Sequence, residues 1–127
     1  MPVPQVRAGW PGKLIGLSTH NEQQELAARA CAPSYIGVGP VFPTPTKKIP
    51  DPVLGPERAS RIVQASPLTT VAIGGIDAGN LGDLLQRGII NFAVVRAVNL
   101  AERPREAIAT LMSLWRQSRS RTNQPME

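Results

Sequence analysis

The stretch YIGVGPVFPTPTK, residues 35–47, decides how the rest of the chain is organised. It begins as a short apolar run, residues 35–38, of the kind that is typical of a buried β-strand. A proline-rich loop follows, in which each proline fixes its own φ and favours extended backbone at the residue before it. Thr44 and Thr46 are therefore expected to point to the same side, directly before Lys47. Paired hydroxyls beside a cation suit a phosphate or pyrophosphate group; a solvated connection is the alternative interpretation.

Three more apolar runs, starting near residues 13, 69 and 90, have the same construction, and a helical segment follows each of the four runs. The runs are nearly continuous instead of alternating, which predicts a parallel sheet with strands buried on both faces. Repeated β-α units are typical of a (β/α)8 barrel, in which eight such units close a circle. The sequence therefore predicts an α/β fold of four β/α units, either half of such a barrel or an open four-stranded sheet.

The helical segments have recognisable ends and apolar faces. Asn21 is the predicted cap of the first helix and Asp77 that of the third, because both side chains accept hydrogen bonds from free N–H groups. Pro56 begins the second helix, since proline is tolerated in a first turn. The predicted buried faces, in chain order, are Leu26, Ala27 and Ala30; Ala59, Ile62 and Val63; Leu81, Leu84 and Leu85; and Ala107, Ile108, Leu111, Leu114 and Trp115.

The domain boundaries follow from composition. Residues 1–12 are rich in proline and glycine and lack periodicity, which predicts a leader or linker. One folded domain is expected over residues 13–117, followed by a flexible basic tail at residues 118–127.

Charge and cysteine usage narrow the function classes. The net charge is +5, but arginines cluster near the end of the chain and aromatics make up only 4%, so no nucleic-acid partner is expected. Anionic small molecules are the expected partners of the remaining positive charge. No apolar run has the length of a membrane span, so no membrane partner is expected. The single cysteine favours a cytoplasmic location.

Polar or glycine-rich residues follow every predicted strand. They are Ser18 to His20, Thr44 to Lys48, Gly74 with Gly75, and Arg96. Parallel β/α folds bind ligands at the carboxyl ends of their strands, so these residues are expected to share one rim. Glycines at 74 and 75 allow a phosphate to approach the backbone closely, although a tight turn is the alternative explanation. No cluster of histidine, cysteine or carboxylate residues has the spacing of a metal site, so no metal ligands are predicted.

The motif GPVFPTPTK at residues 39–47, with GLSTH at 16–20 and AIGGI at 72–76, resembles thiamine phosphate synthase. The resemblance spans residues 13 to about 100 and covers only the C-terminal half of that enzyme. It therefore implies four β/α units that form the C-terminal half of a TIM-type (β/α)8 barrel. It also implies a transferase of thiamine biosynthesis, which joins hydroxymethylpyrimidine pyrophosphate to a thiazole phosphate and releases pyrophosphate.

The resemblance assigns roles to individual residues. Ser18 and Lys47 match catalytic residues that contact the pyrophosphate. The implied substrate and phosphate contacts are Thr44, Thr46, Gly74, Gly75, Val95 and Arg96. Arg96 stands where a small residue, often serine, is common, and it either adds positive charge or obstructs the pocket. Mg²⁺ is the expected cofactor of the family, but the strands that hold its ligands have no equivalent in this chain.

A half-barrel would leave two strand edges and its concave interior uncovered. We therefore expect a complementary N-terminal half-barrel or self-association, and no thiamine phosphate synthesis by this polypeptide alone. Two other functions stay open. One is a thiazole tautomerase, in which His20 would transfer a proton. The other is a non-catalytic phosphate-binding half-barrel or assembly module.

Overall fold

The computed structural model describes residues 2–44 and 52–122, with side chains to residue 120. Its centre is a sheet of four parallel strands that are hydrogen-bonded in chain order. The strands are β1 (Gly16–Thr19), β2 (Tyr35–Val38), β3 (Thr70–Ile73) and β4 (Phe92–Ala93). This confirms the predicted α/β fold with a parallel four-stranded sheet.

Six helices accompany the described sheet. They are α1 (Val3–Gly9), α2 (Glu22–Cys31), α3 (Pro56–Ala65), α4 (Leu81–Gln86), α5 (Arg96–Asn99) and α6 (Pro104–Thr122). Two predicted helix starts are confirmed: Asn21 Oδ1 accepts the backbone N–H of Gln24 at 2.8 Å, and α3 begins at Pro56. None of the described helices combines the length and the apolar character that a membrane crossing requires.

The core lies between one face of the sheet and helices α2 to α4, and Leu111 of α6 adds to it. Side chains alternate along a strand, and the set that includes Ile36, Val38 and Ala72 is fully buried. This set packs in one cluster with Ala28 of α2, with Ala59 and Ile62 of α3 and with Leu81, Leu84 and Leu85 of α4. The predicted inward faces of α3 and α4 are thereby confirmed.

The opposite face of the sheet is not covered in the same way, so the predicted burial of both faces is wrong for the described residues. Tyr35 is 39% exposed and Ile73 is 42% exposed on this face. Gly37 faces the same side as Ile73, because a Cβ added there would stand 4.0 Å from the Ile73 side chain. The physical reason is that helices α2 to α4 all pack on the other side. We call this half-exposed surface the open face.

The predicted face of α2 is also wrong. Leu26 is 58% exposed, and Ala27 and Ala30 are exposed too, whereas Glu25 and Ala28 are buried. Glu25 tolerates burial because Arg29 donates two hydrogen bonds to its carboxylate, at 2.8 and 2.6 Å, and the Ser66 hydroxyl donates a third at 2.8 Å. The bonds from Arg29 above all, with help from Ser66, hold the pKa of the Glu25 carboxyl below its ordinary value.

Both ends of the chain contain more helix than the sequence predicted. Residues 3–9 of the supposed leader form α1, with Val3 buried and the Arg7 guanidinium donating to the Ala32 carbonyl at 2.8 Å. Seven residues are too few to show a repeating apolar face, and a proline in the first turn is compatible with a helix. At the other end α6 runs to Thr122, so residues 118–122 of the predicted tail are helical.

Two elements near the third and fourth strands begin elsewhere than predicted. Asp77 Oδ1 accepts the N–H groups of Gly79 and Asn80, at 2.9 and 3.1 Å, and so shapes a turn before α4 instead of capping it. The run at residues 90–95 pairs only at Phe92–Ala93, and the separate four-residue helix α5 follows it.

Candidate functional site

The loops after all four strands open onto a single cavity of about 910 Å³. It lies at the carboxyl edge of the sheet, where parallel β/α folds place their ligands. From β1 and the loop after β2 its lining includes Ser18, Thr19, His20, Gly39, Pro40, Pro43 and Thr44; from the loops after β3 and β4 it includes Gly74, Gly75, Asp77, Val95 and Arg96. We call this the rim cavity.

The loop after β2 is laid directly across the loop after β3. The N–H groups of Val41 and Phe42 donate to the carbonyls of Ile73 and Gly74, both at 3.0 Å. The two glycines make this contact possible. A Cβ at Gly74 would stand 2.6 Å from Pro40 Cα, and one at Gly75 would stand 2.7 Å from the Pro43 carbonyl oxygen. Both also have left-handed φ values, of 108° and 67°, which glycine adopts without strain.

This packing is a reason for glycine at positions 74 and 75 that the sequence did not indicate. From the sequence, the two explanations were a close approach to a ligand and a tight turn. In the structure the pair lines the rim cavity and also contacts the proline-rich loop.

The end of β1 is tied to the end of β2 by polar contacts. The Thr19 hydroxyl donates to the Gly37 carbonyl at 2.7 Å. The His20 ring nitrogen Nδ1 lies 2.9 Å from the Gly39 carbonyl oxygen, and the His20 backbone N–H donates to Gln24 Oε1 at 2.7 Å. Ser18 lies on the open face of the sheet beside these contacts.

The described lining of the rim cavity contains one permanently charged cation, Arg96, and one carboxylate, Asp77. Arg96 is exposed and stands at the first position of α5. Among the residues that the structure describes, no carboxylate forms an ion pair with it. The Asp77 carboxylate, in contrast, is already engaged by two backbone N–H groups through Oδ1.

The structure brings together every predicted site residue that it describes. Ser18, Thr44, Gly74, Gly75, Val95 and Arg96 all line the rim cavity. The other two predicted residues, Thr46 and Lys47, lie outside the described residues. The sequence did not single out two exposed apolar residues in the lining, Val53 and Leu100, because an isolated loop residue carries no periodic signal.

The described residues do not fit a magnesium site. Over residues 2–44 and 52–122, no three histidine, cysteine or acidic residues lie close enough to hold a metal ion. Magnesium prefers several oxygen ligands in octahedral geometry, and the cavity offers one carboxylate among these residues.

A parallel β/α domain with a cavity at the carboxyl ends of its strands belongs to the broad class of ligand-binding and catalytic β/α proteins. A family model described as thiamine monophosphate synthase matches residues 1–98. The chain belongs to this family.

Individual relatives agree with the family match. The chain is 38% identical over 109 residues to the thiamine-phosphate synthase of Myxococcus xanthus, covering 86% of this chain and 50% of the relative. It is 40% identical over 110 residues to that of Chlorobium luteolum, with 87% and 52% covered. A solved structure of thiamine phosphate pyrophosphorylase from Pyrococcus furiosus superposes with a TM-score of 0.84 at 32% identity, covering 93% of this chain and 56% of the other. The chain thus spans about half the length of these proteins.

Proposed function

We propose that this chain supplies the C-terminal half of a thiamine phosphate synthase barrel and, within it, the sites for phosphate and pyrophosphate. The complete enzyme would join hydroxymethylpyrimidine pyrophosphate to a thiazole phosphate and release pyrophosphate. The single observation that carries this proposal is the rim cavity, onto which the ends of all four strands open. Family membership supports the choice of substrates.

In this reaction the protein has two tasks, which are to stabilise negative charge on the leaving pyrophosphate and to position the reacting atoms. When a pyrophosphate leaves, negative charge develops on its oxygens, and preorganised donors around them lower the barrier. Arg96 can donate to these oxygens, and Ser18 and Thr44 offer hydroxyls in the same cavity. Lys47 is proposed as the second cation and Thr46 as the second hydroxyl of the proline-rich loop. The remaining task is to hold the thiazole nitrogen in line with the reacting carbon.

The open face supports the second part of the proposal, which concerns the missing half. Tyr35 and Ile73 leave large apolar surfaces half-exposed there, and β1 and β4 end the described sheet. In a closed barrel this face would be the interior and both edges would be paired. We propose that a complementary set of four β/α units covers the face, and that self-association substitutes for it when that set is absent.

Calorimetric titration with pyrophosphate in magnesium-free buffer tests the anion site in residues 1–127. Arg96→Ala and Lys47→Ala are each expected to weaken binding about tenfold, because each removes a charge-assisted hydrogen bond worth about 1.5 kcal/mol or more. Arg105→Ala is the matched control, since this arginine is exposed on α6 and does not line the cavity. Equal affinities for the Arg96 and Arg105 variants would contradict the proposal.

Catalysis is tested by reconstitution. The chain mixed with the four N-terminal β/α units of a related synthase should form thiamine phosphate from both substrates, whereas neither polypeptide should do so alone. Turnover by this chain alone would show that the missing-half proposal is wrong. Absence of turnover in the mixture, despite formation of the complex, would favour a non-catalytic phosphate-binding module.

One observation favours a second candidate function. His20 lines the rim cavity, where a thiazole tautomerase would need a group that transfers a proton. Tautomerase activity that is lost in His20→Asn and in His20→Gln alike would support this candidate over the synthase.

A further inference from the structure

We infer that His20 is a positioning residue, which holds the proline-rich loop in place through its Nδ1–H group. The expected effect of His20 on ligand binding rests on the proposed anion site, because the proline-rich loop carries Thr44 into the rim cavity.

The hydrogen bond between the His20 ring and the Gly39 carbonyl has one possible direction. Nδ1 of His20 lies 2.9 Å from the Gly39 carbonyl oxygen. A carbonyl oxygen can only accept, so Nδ1 carries the proton, and in the neutral ring the lone pair is on Nε2. The Nδ1–H group is therefore committed to the loop.

The backbone of His20 is anchored to helix α2. The His20 backbone N–H donates to Gln24 Oε1 at 2.7 Å, and the Gln24 N–H donates to Asn21 Oδ1 at 2.8 Å. Both bonds belong to the first turn of α2, so the His20 backbone is attached to the helix that follows β1. The ring projects from this anchored backbone to the Gly39 carbonyl.

Gly39, at the start of the proline-rich loop, is held in place by contacts on both sides. Its N–H donates to the Thr19 carbonyl at 3.3 Å, and its carbonyl is held by His20, so consecutive residues at the end of β1 bind both of its polar groups. On the other side the Ile73 carbonyl occupies the space that a Cβ of Gly39 would need. From this fixed start the chain continues through Val41 and Phe42, which pair with Ile73 and Gly74, to Thr44.

Nitrogen NMR tests the direction of the bond without any ligand. The chain contains one histidine, so labelling with ¹⁵N-histidine gives the two ring signals of His20 alone. At alkaline pH, where the ring is neutral, the expected spectrum is that of the Nδ1–H tautomer. The Nε2–H tautomer would overturn the inference.

A pair of variants tests the positioning. The amide of asparagine places an N–H near the position of Nδ1, whereas that of glutamine reaches toward Nε2. His20→Asn should keep the bond to Gly39, and the Val41 and Phe42 amides should exchange with solvent at about the wild-type rate. In His20→Gln these two amides should exchange about five- to tenfold faster, as expected for the loss of one hydrogen bond.

Pyrophosphate titration of the same two variants adds the functional readout. Affinity should fall about five- to tenfold in His20→Gln and stay within about twofold of wild type in His20→Asn. Equal behaviour of the two variants in exchange would overturn the positioning role. If the wild-type chain does not bind pyrophosphate, the proposed anion site fails, while the tautomer and the exchange rates still decide the role of His20.

Discussion

The glycine residues of this chain differ in how much space is available for the methyl group of an alanine substitution. At Gly74 a Cβ would stand 2.6 Å from Pro40 Cα, and φ is 108°. We expect Gly74→Ala to lower the free energy of unfolding by at least about 2 kcal/mol, because steric overlap adds to left-handed strain. Urea unfolding of the purified chain measures this change.

Gly82 provides the control within the same region. It lies inside α4, and a Cβ there would meet nothing within 4 Å. Gly82→Ala should raise the free energy of unfolding by about 0.5 to 1 kcal/mol, since alanine is the better helix former. Similar effects at both positions would contradict the proposed packing of the loop after β2 on the glycine pair.

Glu25 predicts a dependence of stability on pH. Its pKa in the folded state lies below the ordinary value of 4.5 because of Arg29 and Ser66. The stabilisation is therefore fully present above about pH 4.5 and is lost as the pH falls through the folded-state pKa. In Glu25→Gln the free energy of unfolding should be lower at neutral pH and should fall less steeply on acidification.

Glu57 is the matched control for this measurement. It forms an exposed i,i+4 pair with Arg61, in which the two side chains are 74% and 68% exposed. Solvent screens such a pair, so Glu57→Gln should leave the pH profile of unfolding unchanged. A profile of Glu25→Gln that matches wild type would show that the buried pair does not govern acid stability.

At the level of residues, the sequence predicted local chemistry well and contacts poorly. The Asn21 cap depends on a short side chain three residues before its partner, and it could be recognised from spacing alone. Glu25 has a local partner in Arg29, but its third hydrogen bond comes from Ser66, which is 41 residues away and which no local pattern could reveal. The role of Gly74 likewise depends on a loop from another strand.

At the level of elements, α2 offers the clearest test. Ala28 is fully buried on the face that packs against the sheet, whereas Leu26 is 58% exposed on the other side. Ala28→Leu should cost about 1 to 3 kcal/mol of unfolding free energy through overpacking. Leu26→Gln should change it by less than about 0.5 kcal/mol. Denaturant unfolding of both variants measures the difference, and the reverse order of stability would show that the described face of α2 is wrong.

Elements with strong end signals were predictable, and short ones were not. Pro56 marks a helix start because proline fixes φ, and this start is observed. The four-residue helix α5 and the seven-residue helix α1 are too short for a hydrophobic period to be visible. Their formation depends on packing, which a single sequence does not display.

At the level of the whole molecule, the open face should control association. We expect the isolated chain to sediment as a dimer or larger species, because half-exposed apolar side chains such as Ile73 drive burial. Ile73→Lys should shift the population toward monomer. Leu26→Lys is the control, since it removes a comparably exposed side chain from the helical layer and should not change the sedimentation.

A monomeric wild-type chain would contradict the need for a partner on the open face. The sequence predicted buried strands from their continuous apolar character. It could not show that helices α2 to α4 cover only one face of the sheet and leave the open face uncovered. The hydrophobic pattern of a strand indicates that its side chains are to be buried. It does not indicate which polypeptide buries them.

The indole of Trp115 has a use that follows from its position. Its Nε1–H donates to the Ile90 carbonyl at 3.0 Å, and the ring lines a second hollow of about 590 Å³ at the opposite edge of the sheet, beside Tyr35 and Met112. Trp10 is 68% exposed and can be replaced by phenylalanine, which leaves Trp115 as the one tryptophan, and excitation at its red edge avoids Tyr35. We expect the emission of Trp115 to shift toward the blue if another polypeptide covers that hollow, so the indole would report association at this edge of the sheet.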